Sequence, residues 1–322
     1  MQTYQKQCSF DRLPALQTDP TAWKRYLDRR FGGGESWVTP PFKTTDEVRQ
    51  LLVAHMPELL PEFDALLPLY DDAPGLAQGL AMYNLRPFWS GCSVATAKRP
   101  DRTTLLRNYD LGVEGAPNAF RYEELANGGW IIGSGEAGWG YLDGMNDRGL
   151  VIALTFGGRF VVGDGFVVLL VIRWLLETCT TVDEALARLD NLPHRLAQNL
   201  LLLDRTGAHA VAHLSPDRPL AVDRQVGACT NHQGVPESPQ NAVFTQTVER
   251  LYHMVGKGGA LTLADFLCPP LYNQRYREYF GTLYTVEYDP VGGTAHFAWP
   301  ERDLLVTPET AECSFAVTLT EQ

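Results

Sequence analysis

The chain has 322 residues, of which 45% are hydrophobic and 20% are charged, and its formal net charge is −11. This length and composition are typical of a globular protein with one large domain or two modest ones. The acidic balance argues against a protein that binds nucleic-acid phosphates or an anionic membrane surface.

The first residues, "MQTYQKQCSFDRLP", are polar and lack the apolar core of a secretory signal. The longest apolar run, "FVVLLVIRWLL" at 166–176, is too short to span a bilayer and contains Arg173. We therefore expect a cytoplasmic protein that does not cross a membrane.

Residues 1–91 show helical patterns, such as "TAWKRYLDRRF" and "DEVRQLLVAHMPELLPEFDALLPLYDD". Apolar residues recur at helical spacing in the second stretch, at Val48, Leu51, Leu52 and Met56. Prolines break this stretch into short pieces, at Pro57, Pro61 and Pro68. Strand signals are nearly absent, so we predict a helical N-terminal segment over 1–91.

From Cys92 onward the pattern changes to strands separated by turns. We predict strands over 93–98, 103–108, 130–134 and 137–144, and the turn "GMNDRGL" at 144–150 leading into another strand. Two helices follow, over 166–178 and 182–190, and the second begins with Thr181 and Glu184 at capping-box spacing. Two hairpins, over 199–214 and 282–299, enclose helices over 241–255 and 261–267. This order lacks regular βαβ alternation, which favours an α+β fold with mainly antiparallel sheets and helices packed in layers.

Six cysteines are scattered along the chain, at Cys8, Cys92, Cys179, Cys229, Cys268 and Cys313. No two of them have the short spacing of a metal site or of a redox pair. We expect neither a disulfide framework nor a metal ion, and most of these thiols should be buried as small apolar groups.

Cys92 differs from the other cysteines because it follows a glycine at the start of a strand. Gly91 has no Cβ, so the peptide bond between them can adopt an unusual conformation. The thiol could attack this bond, and an N-to-S acyl shift followed by hydrolysis would leave Cys92 as a new N-terminus. Its α-amine could then serve as the base for its own thiol without any histidine.

Other polar residues could support such a thiol. Arg107 and Asp110, in "RNYD", could tune its protonation, although taken alone they fit a structural ion pair at a strand end. Asn231, in "ACTNHQ", could donate to an oxyanion. His232, beside it, could instead pair with Cys92 in a cysteine–histidine arrangement.

Taken together, "GCS…LLRNYD…GMNDRGLVIALTFGG…TNHQ" resembles the choloylglycine hydrolase and acyl-coenzyme A:6-aminopenicillanic acid acyltransferase group of N-terminal nucleophile (Ntn) hydrolases. The resemblance runs from about residue 91 to 299. It implies a four-layer α-β-β-α sandwich as the catalytic domain, over 92–322. Residues 1–91 would wrap this domain, as a propeptide or as a small chain retained after autocleavage between Gly91 and Cys92.

The resemblance also implies a role for each matching residue. Cys92 falls on the nucleophile, and Arg107 and Asp110 fall on the arginine and aspartate of the R-N-x-D motif. Asn231 falls on an asparagine that supports the oxyanion, and Arg250, in "QTVERL", on a later arginine of the site. Thr155 stands where other members have asparagine or tyrosine, as a further oxyanion or substrate contact.

The implied activity is hydrolysis or acyl transfer at linear carbon–nitrogen amide bonds, through an acyl-enzyme on Cys92 and with no metal or organic cofactor. The partner would be a small acyl amide, whose acyl and amine groups stay open, as does a homo-oligomeric state. Two alternatives also stay open. One is an uncleaved thiol hydrolase with His232 or His213 as its base, and the other is an inactive relative that acts as a binding protein.

Overall fold

The computed structural model of the chain describes residues 2–31, 38, 40–70, 74–114 and 119–321. Parts of the predicted N-terminal segment, at 1, 32–37, 39 and 71–73, lie outside the described residues. Among the described residues, no helix has both the length and the apolar character needed to cross a membrane.

The described residues form α-helices in three groups along the chain. They are α1 (Pro20–Phe31), α2 (Thr45–His55), α3 (Leu60–Leu66), α4 (Leu76–Leu80), α5 (Val168–Thr178), α6 (Val182–Leu189), α7 (Pro239–Thr245), α8 (Thr247–Lys257) and α9 (Leu263–Phe266). The predicted helices over 166–178 and 182–190 are confirmed as α5 and α6. Thr181 and Glu184 form the predicted capping box at the start of α6.

The strands form two sheets. They are β1 (Thr3–Leu13), β2 (Gly91–Lys98), β3 (Thr103–Leu111), β4 (Ala119–Glu124), β5 (Trp130–Glu136), β6 (Gly140–Asn146), β7 (Val151–Phe156), β8 (Gln198–Leu203), β9 (His209–Leu214), β10 (Ala221–Asp223), β11 (Ala228–Cys229), β12 (Gln274–Arg275), β13 (Phe280–Asp289), β14 (Thr294–Trp299), β15 (Arg302–Val306) and β16 (Cys313–Thr320). The large sheet has the order β10-β9-β8-β7-β6-β5-β4-β1-β16. The small sheet has the order β11-β2-β3-β13-β14-β15, and β12 pairs with β13.

The two sheets and their helices stack as four layers. The large sheet faces the small sheet, with β7 and β8 against β2. On the outer side of the large sheet, α5 packs on β5, β6 and β7. On the outer side of the small sheet, α8 packs on β2 and β11, and α9 packs on β3 and β13. This is the predicted α-β-β-α sandwich with mainly antiparallel sheets.

The prediction that residues 1–91 lack strands is wrong at its N-terminal end. Residues 3–13 form β1, which pairs in parallel with β4 and antiparallel with β16. Cys8 and Phe10 share one face of the strand and join the core, and Ser9 and Asp11 on the other face are buried as well. The polar run 5–7 precedes them and polar residues separate the apolar ones after it, so the sequence shows no clear apolar alternation here.

We expect Phe10→Ala to lower the free energy of unfolding by about 3–5 kcal/mol, the usual cost of truncating a buried phenylalanine. Phe10 belongs to the core between the sheets, whereas Gln7 on the same strand is exposed. Gln7→Ala is therefore the control and should change the free energy of unfolding by no more than about 0.5 kcal/mol. Denaturant unfolding measures both, and equal small effects would show that β1 is not part of the folded core.

Candidate active site

The thiol of Cys92 lies between the two sheets. Side chains alternate along β2, so Cys92 and Val94 join the main core, whereas Ala95 and Ala97 join a smaller apolar cluster with Met254 of α8. Cys92 is completely buried. The thiol therefore faces the core between the two sheets, whereas the next residues along the strand that point the other way face the helix α8.

Arg107 is the charged group that contacts the thiol. Its Nη2 lies 3.4 Å from Cys92 Sγ, because β2 and β3 pair antiparallel and place both side chains on the same face. Burial raises the pKa of the Cys92 thiol, and the positive charge of Arg107 opposes this rise. The structure thus places Arg107 against the thiol, and its support of Cys92 in catalysis stays a prediction.

A buried aspartate that the sequence analysis did not identify holds Arg107 in place. Asp143, on β6 of the large sheet, forms a buried ion pair with Arg107 Nη1. Asp143 also accepts hydrogen bonds from the hydroxyl groups of Tyr284, at 2.6 Å, and Tyr288. Asp143 lies in "YLDG", 36 residues from Arg107, so only the packing of one sheet on the other reveals the pair.

Asp110 and Arg250 lie on the opposite face of the small sheet. Arg250 Nη1 is 3.0 Å from Asp110 Oδ2 and 2.9 Å from Ser93 Oγ. The same nitrogen donates to the carbonyl oxygen of Cys92 at 3.1 Å. Burial raises the pKa of Asp110, and the charge of Arg250 opposes this rise. Asp110 therefore reaches Cys92 through Arg250, with no direct hydrogen bond to it.

Asn231 contacts the backbone on either side of Gly91, at Cys92 N and at Ser90 O. Its Oδ1 accepts a hydrogen bond from the backbone nitrogen of Cys92 at 3.1 Å, and its Nδ2 lies 3.4 Å from Ser90 O. Arg250 Nη2 donates to the same Oδ1 at 2.6 Å. The two predicted residues Asn231 and Arg250 thus meet at the peptide bond predicted to be cut.

A β-bulge in β13 lets two residues that are two positions apart point to opposite faces of the small sheet. The pairing of β13 with β3 shifts between Thr282, which faces Asp110, and Tyr284, which faces Tyr109. Without the shift these two side chains would point the same way. Instead, Thr282 Oγ1 donates to Asp110 Oδ1 at 2.7 Å, while the Tyr284 hydroxyl joins the Arg107 pair.

A glycine is required at position 91 because a side chain would not fit there, and not because the backbone conformation is unusual. It lies in extended backbone at the start of β2 and has no positive φ, so the expected unusual backbone is absent from this residue. A Cβ at this position would lie 2.1 Å from Phe280 Cε2 and 2.9 Å from Asp110 Cβ. Both neighbours are buried, so no larger side chain fits beside them.

Thr155 and the two histidines do not contact the thiol. Thr155 Oγ1 donates to the carbonyl oxygen of Thr230 at 2.7 Å, so it cannot donate to a substrate without breaking this bond. His232 Nδ1 lies 2.8 Å from Thr247 Oγ1, and His213 Nδ1 lies 2.8 Å from Asn199 Oδ1.

Among the described residues, no metal site lies in this region. In the part of the chain that the structure describes, no group of three histidine, cysteine, aspartate or glutamate side chains is arranged to hold a metal ion. The charged groups described above around Cys92 are instead two arginines and two aspartates.

We expect Gly91→Ala to lower the free energy of unfolding of the uncut chain by about 1–3 kcal/mol, because the new methyl group overpacks against Phe280. The same change should cost less in a Phe280→Ala background, since the aromatic ring is then absent. Gly256→Ala is the control, because a Cβ there meets no atom within 4 Å. Every variant also carries Cys92→Ala, which removes the thiol expected to cut the chain. Denaturant unfolding then compares five chains, namely Cys92→Ala alone and with Gly91→Ala, Phe280→Ala, both of these, or Gly256→Ala. Equal costs of Gly91→Ala in both backgrounds would contradict the steric explanation.

The solved structures that resemble this chain have low sequence identity to it. A mutant of the conjugated bile acid hydrolase from Clostridium perfringens is 15% identical and has a TM-score of 0.45, over 72% of this chain and 98% of that one. Penicillin V acylase from Agrobacterium tumefaciens is 16% identical with a TM-score of 0.42, over 69% and 90%. An N-acylethanolamine-hydrolyzing acid amidase ortholog from Caenorhabditis elegans is 14% identical with a TM-score of 0.46, over 62% and 93%. No curated protein matches the sequence.

A family model matches residues 97–258, which is half of the chain. The matched span includes Arg107, Asp110, Thr155, Asn231 and Arg250, and it begins shortly after Cys92. With this match, the chain belongs to the acyl-coenzyme A:6-aminopenicillanic acid acyl-transferase family.

Proposed function

We propose that the chain is a cysteine-dependent enzyme that acts on linear carbon–nitrogen amide bonds, as a hydrolase or an acyltransferase. The observation that carries this proposal is the surroundings of Cys92. Its thiol contacts Arg107, and its backbone nitrogen and carbonyl are held by Asn231 and Arg250. The family is named for an acyl transfer, which supports the same class of chemistry.

We propose that the first amide bond the protein cuts is its own. Cys92 Sγ attacks the carbonyl carbon of Gly91, the carbon–nitrogen bond breaks, and a thioester forms. Water then hydrolyses the thioester, which restores the thiol and leaves Cys92 with a free α-amine. The contacts of Asn231 with Ser90 O and with Cys92 N support this step, because they fix the backbone before and after Gly91, whose carbonyl carbon is attacked.

In turnover, the new amine is the general base for the thiol beside it. The thiolate attacks the carbonyl of the substrate, the amine of the substrate leaves with a proton, and an acyl-enzyme remains. Water or another acceptor then releases the acyl group. Arg107 stabilises the thiolate, and Asp110 is a positioning residue that holds Arg250 on the Cys92 carbonyl.

The N-terminal piece would remain bound after cleavage. Its strand β1 has 11 residues and lies between β4 and β16 in the large sheet. Release of residues 1–91 would break both ladders and expose the core that Phe10 helps to form. This supports a retained small chain rather than a discarded propeptide.

Exposed aromatic side chains on segments that flank the site favour an apolar acyl group. The rings of Trp89 and Phe160 lie 5.4 Å apart and are 42% and 53% exposed. The loop that carries Phe160 lies against the site, since a Cβ on Gly158 would be 2.5 Å from Asn231 O. Apolar surface beside a nucleophile suits an apolar substrate group, so amides of aromatic or aliphatic carboxylic acids are the first substrates to test.

The geometry favours this mechanism over a cysteine–histidine pair. Among the described residues, the polar side chains in contact with Cys92 Sγ are Arg107 and Ser90. His232 and His213 instead contact Thr247 and Asn199. An inactive binding protein would have no need of the buried charges that surround the thiol.

We expect the purified protein to separate into pieces of residues 1–91 and 92–322, because Cys92 cuts the bond before it. Cys92→Ala should leave one uncut chain without activity toward acyl amides, whereas Cys268→Ala, which changes an exposed thiol, should behave as wild type. Intact-mass spectrometry and an amide hydrolysis assay measure both results. An active enzyme that stays at full length would exclude autocleavage, and an active Cys92→Ala variant would exclude the nucleophile.

We expect Asp110→Asn to reduce turnover by at least about 100-fold, because Arg250 loses its charged partner. His232→Gln should reduce turnover by about tenfold at most, since the amine rather than the imidazole is the base. Both rates are measured on one acyl amide with cleaved enzyme, after circular dichroism has confirmed that each variant is folded. An inactive His232→Gln beside an active Asp110→Asn would reverse the assignment and favour the histidine-based hydrolase.

A further inference from the structure

Autocleavage raises a problem of proton transfer that turnover does not. In turnover the α-amine of Cys92 can accept the thiol proton, but in the uncut chain this nitrogen belongs to an amide, which is not a base. Burial raises the pKa of the Cys92 thiol, so it carries its proton at neutral pH. The first cut therefore needs another group to receive that proton.

The contacts of the thiol leave one group able to do so. Arg107 Nη2, at 3.4 Å, can only donate hydrogen bonds. The other polar side chain within reach is Ser90, whose Oγ lies 3.9 Å from Cys92 Sγ. A hydroxyl group both accepts and donates a proton, and within the described chain the Ser90 hydroxyl has Cys92 Sγ as its side-chain contact.

The backbone of Ser90 is also fixed relative to the bond that is cut. Its carbonyl oxygen lies 3.4 Å from Asn231 Nδ2, and Asn231 Oδ1 holds the nitrogen of Cys92. Ser90 is buried with the thiol, and its neighbour Gly91 is confined by Phe280 and Asp110. The hydroxyl group is therefore held beside the reacting atoms rather than being free to turn into solvent.

We propose that Ser90 is a catalytic residue of autocleavage alone, acting as the proton relay for the first cut. As Cys92 Sγ bonds to the Gly91 carbonyl carbon, the thiol proton passes to Ser90 Oγ, and the proton of the Ser90 hydroxyl passes to the departing nitrogen of Cys92. One sulfur–carbon bond forms and one carbon–nitrogen bond breaks, and the proton lost by sulfur is gained by nitrogen. No oxidant or further reactant is needed.

This role rests on the proposed autocleavage, and it ends when the bond is cut. Ser90 then belongs to the N-terminal piece, and the new amine is available to the thiol. Ser90 should therefore influence how fast the enzyme matures but not how fast each mature molecule turns over. A residue that merely supports the fold of the site would affect both rates.

The test compares wild type, Ser90→Ala and Ser90→Thr as full-length chains made by cell-free synthesis. After synthesis is stopped, gel electrophoresis and intact mass follow the appearance of the two pieces. We expect Ser90→Ala to slow cleavage about 100-fold, the lower part of the range for general acid–base catalysis. Ser90→Thr, which keeps a hydroxyl group, should cleave within about tenfold of wild type.

A matched control and a second measurement separate the possible outcomes. Ser215→Ala removes another buried hydroxyl group, one that contacts Arg159 and Asp217 instead of the thiol, and should cleave at the wild-type rate. Ser90→Ala is then incubated until cut, and its turnover per cleaved molecule should equal that of wild type.

Three results would overturn the role of Ser90. These are a wild-type cleavage rate in Ser90→Ala, an equal loss of cleavage and turnover in that variant, and cleavage of Ser90→Thr as slow as that of Ser90→Ala. If wild type itself is never cut, autocleavage fails and the relay fails with it. Measuring wild type in parallel distinguishes that result from a failure of Ser90 alone.

Discussion

One buried guanidinium group connects most of the candidate site. Arg250, on α8, binds Asp110 of β3, Ser93 Oγ and the Cys92 carbonyl of β2, and Asn231 beyond β11. A planar guanidinium suits this task, because its donors leave in fixed directions toward several acceptors at once. Lysine could neutralise Asp110, but all its donors sit on one nitrogen, whereas Arg250 reaches its four acceptors from two. One helix side chain thus ties the strand that carries Cys92 to its neighbours.

The alternation of side chains along β2 and β3 explains why Cys92 needs support from two layers. Arg107 and Asp110 are three residues apart on one strand, so they point to opposite faces. Arg107 meets the thiol between the sheets, and Asp110 meets Arg250 beneath the helices. The bulge in β13 repeats this division, because it turns Thr282 toward Asp110 and Tyr284 toward Arg107.

The sequence predicts the residues that belong to recognisable motifs. It predicts fewer of the contacts that form only when the sheets pack on each other. Cys92, Arg107, Asp110, Asn231 and Arg250 were all predicted from motifs, and the fold brings them together. Asp143 was missed because its partner lies on the other sheet, and β1 was missed because its first half is polar and its buried second half mixes polar with apolar residues. Thr155 was placed in the site by its position in a motif, yet its hydroxyl proton is already used by Thr230 O.

Burying the charges around Cys92 costs folding free energy, but these charges suit the chemistry that we propose for this residue. Arg107, Asp143, Asp110 and Arg250 are all completely buried, and burying paired charges seldom increases stability. The Nε atoms of Arg107 and Arg250 are also buried without a hydrogen-bond partner among the described residues. If autocleavage gives Cys92 a free amine, as we propose, the two guanidinium groups beside this residue would favour the neutral form of that amine over its protonated form. A neutral amine is what a general base requires, and the two aspartates keep the arginines in place without contacting the thiol themselves. The same cations would stabilise a thiolate, so under the proposed mechanism the proton would leave the thiol at the moment of attack rather than before it.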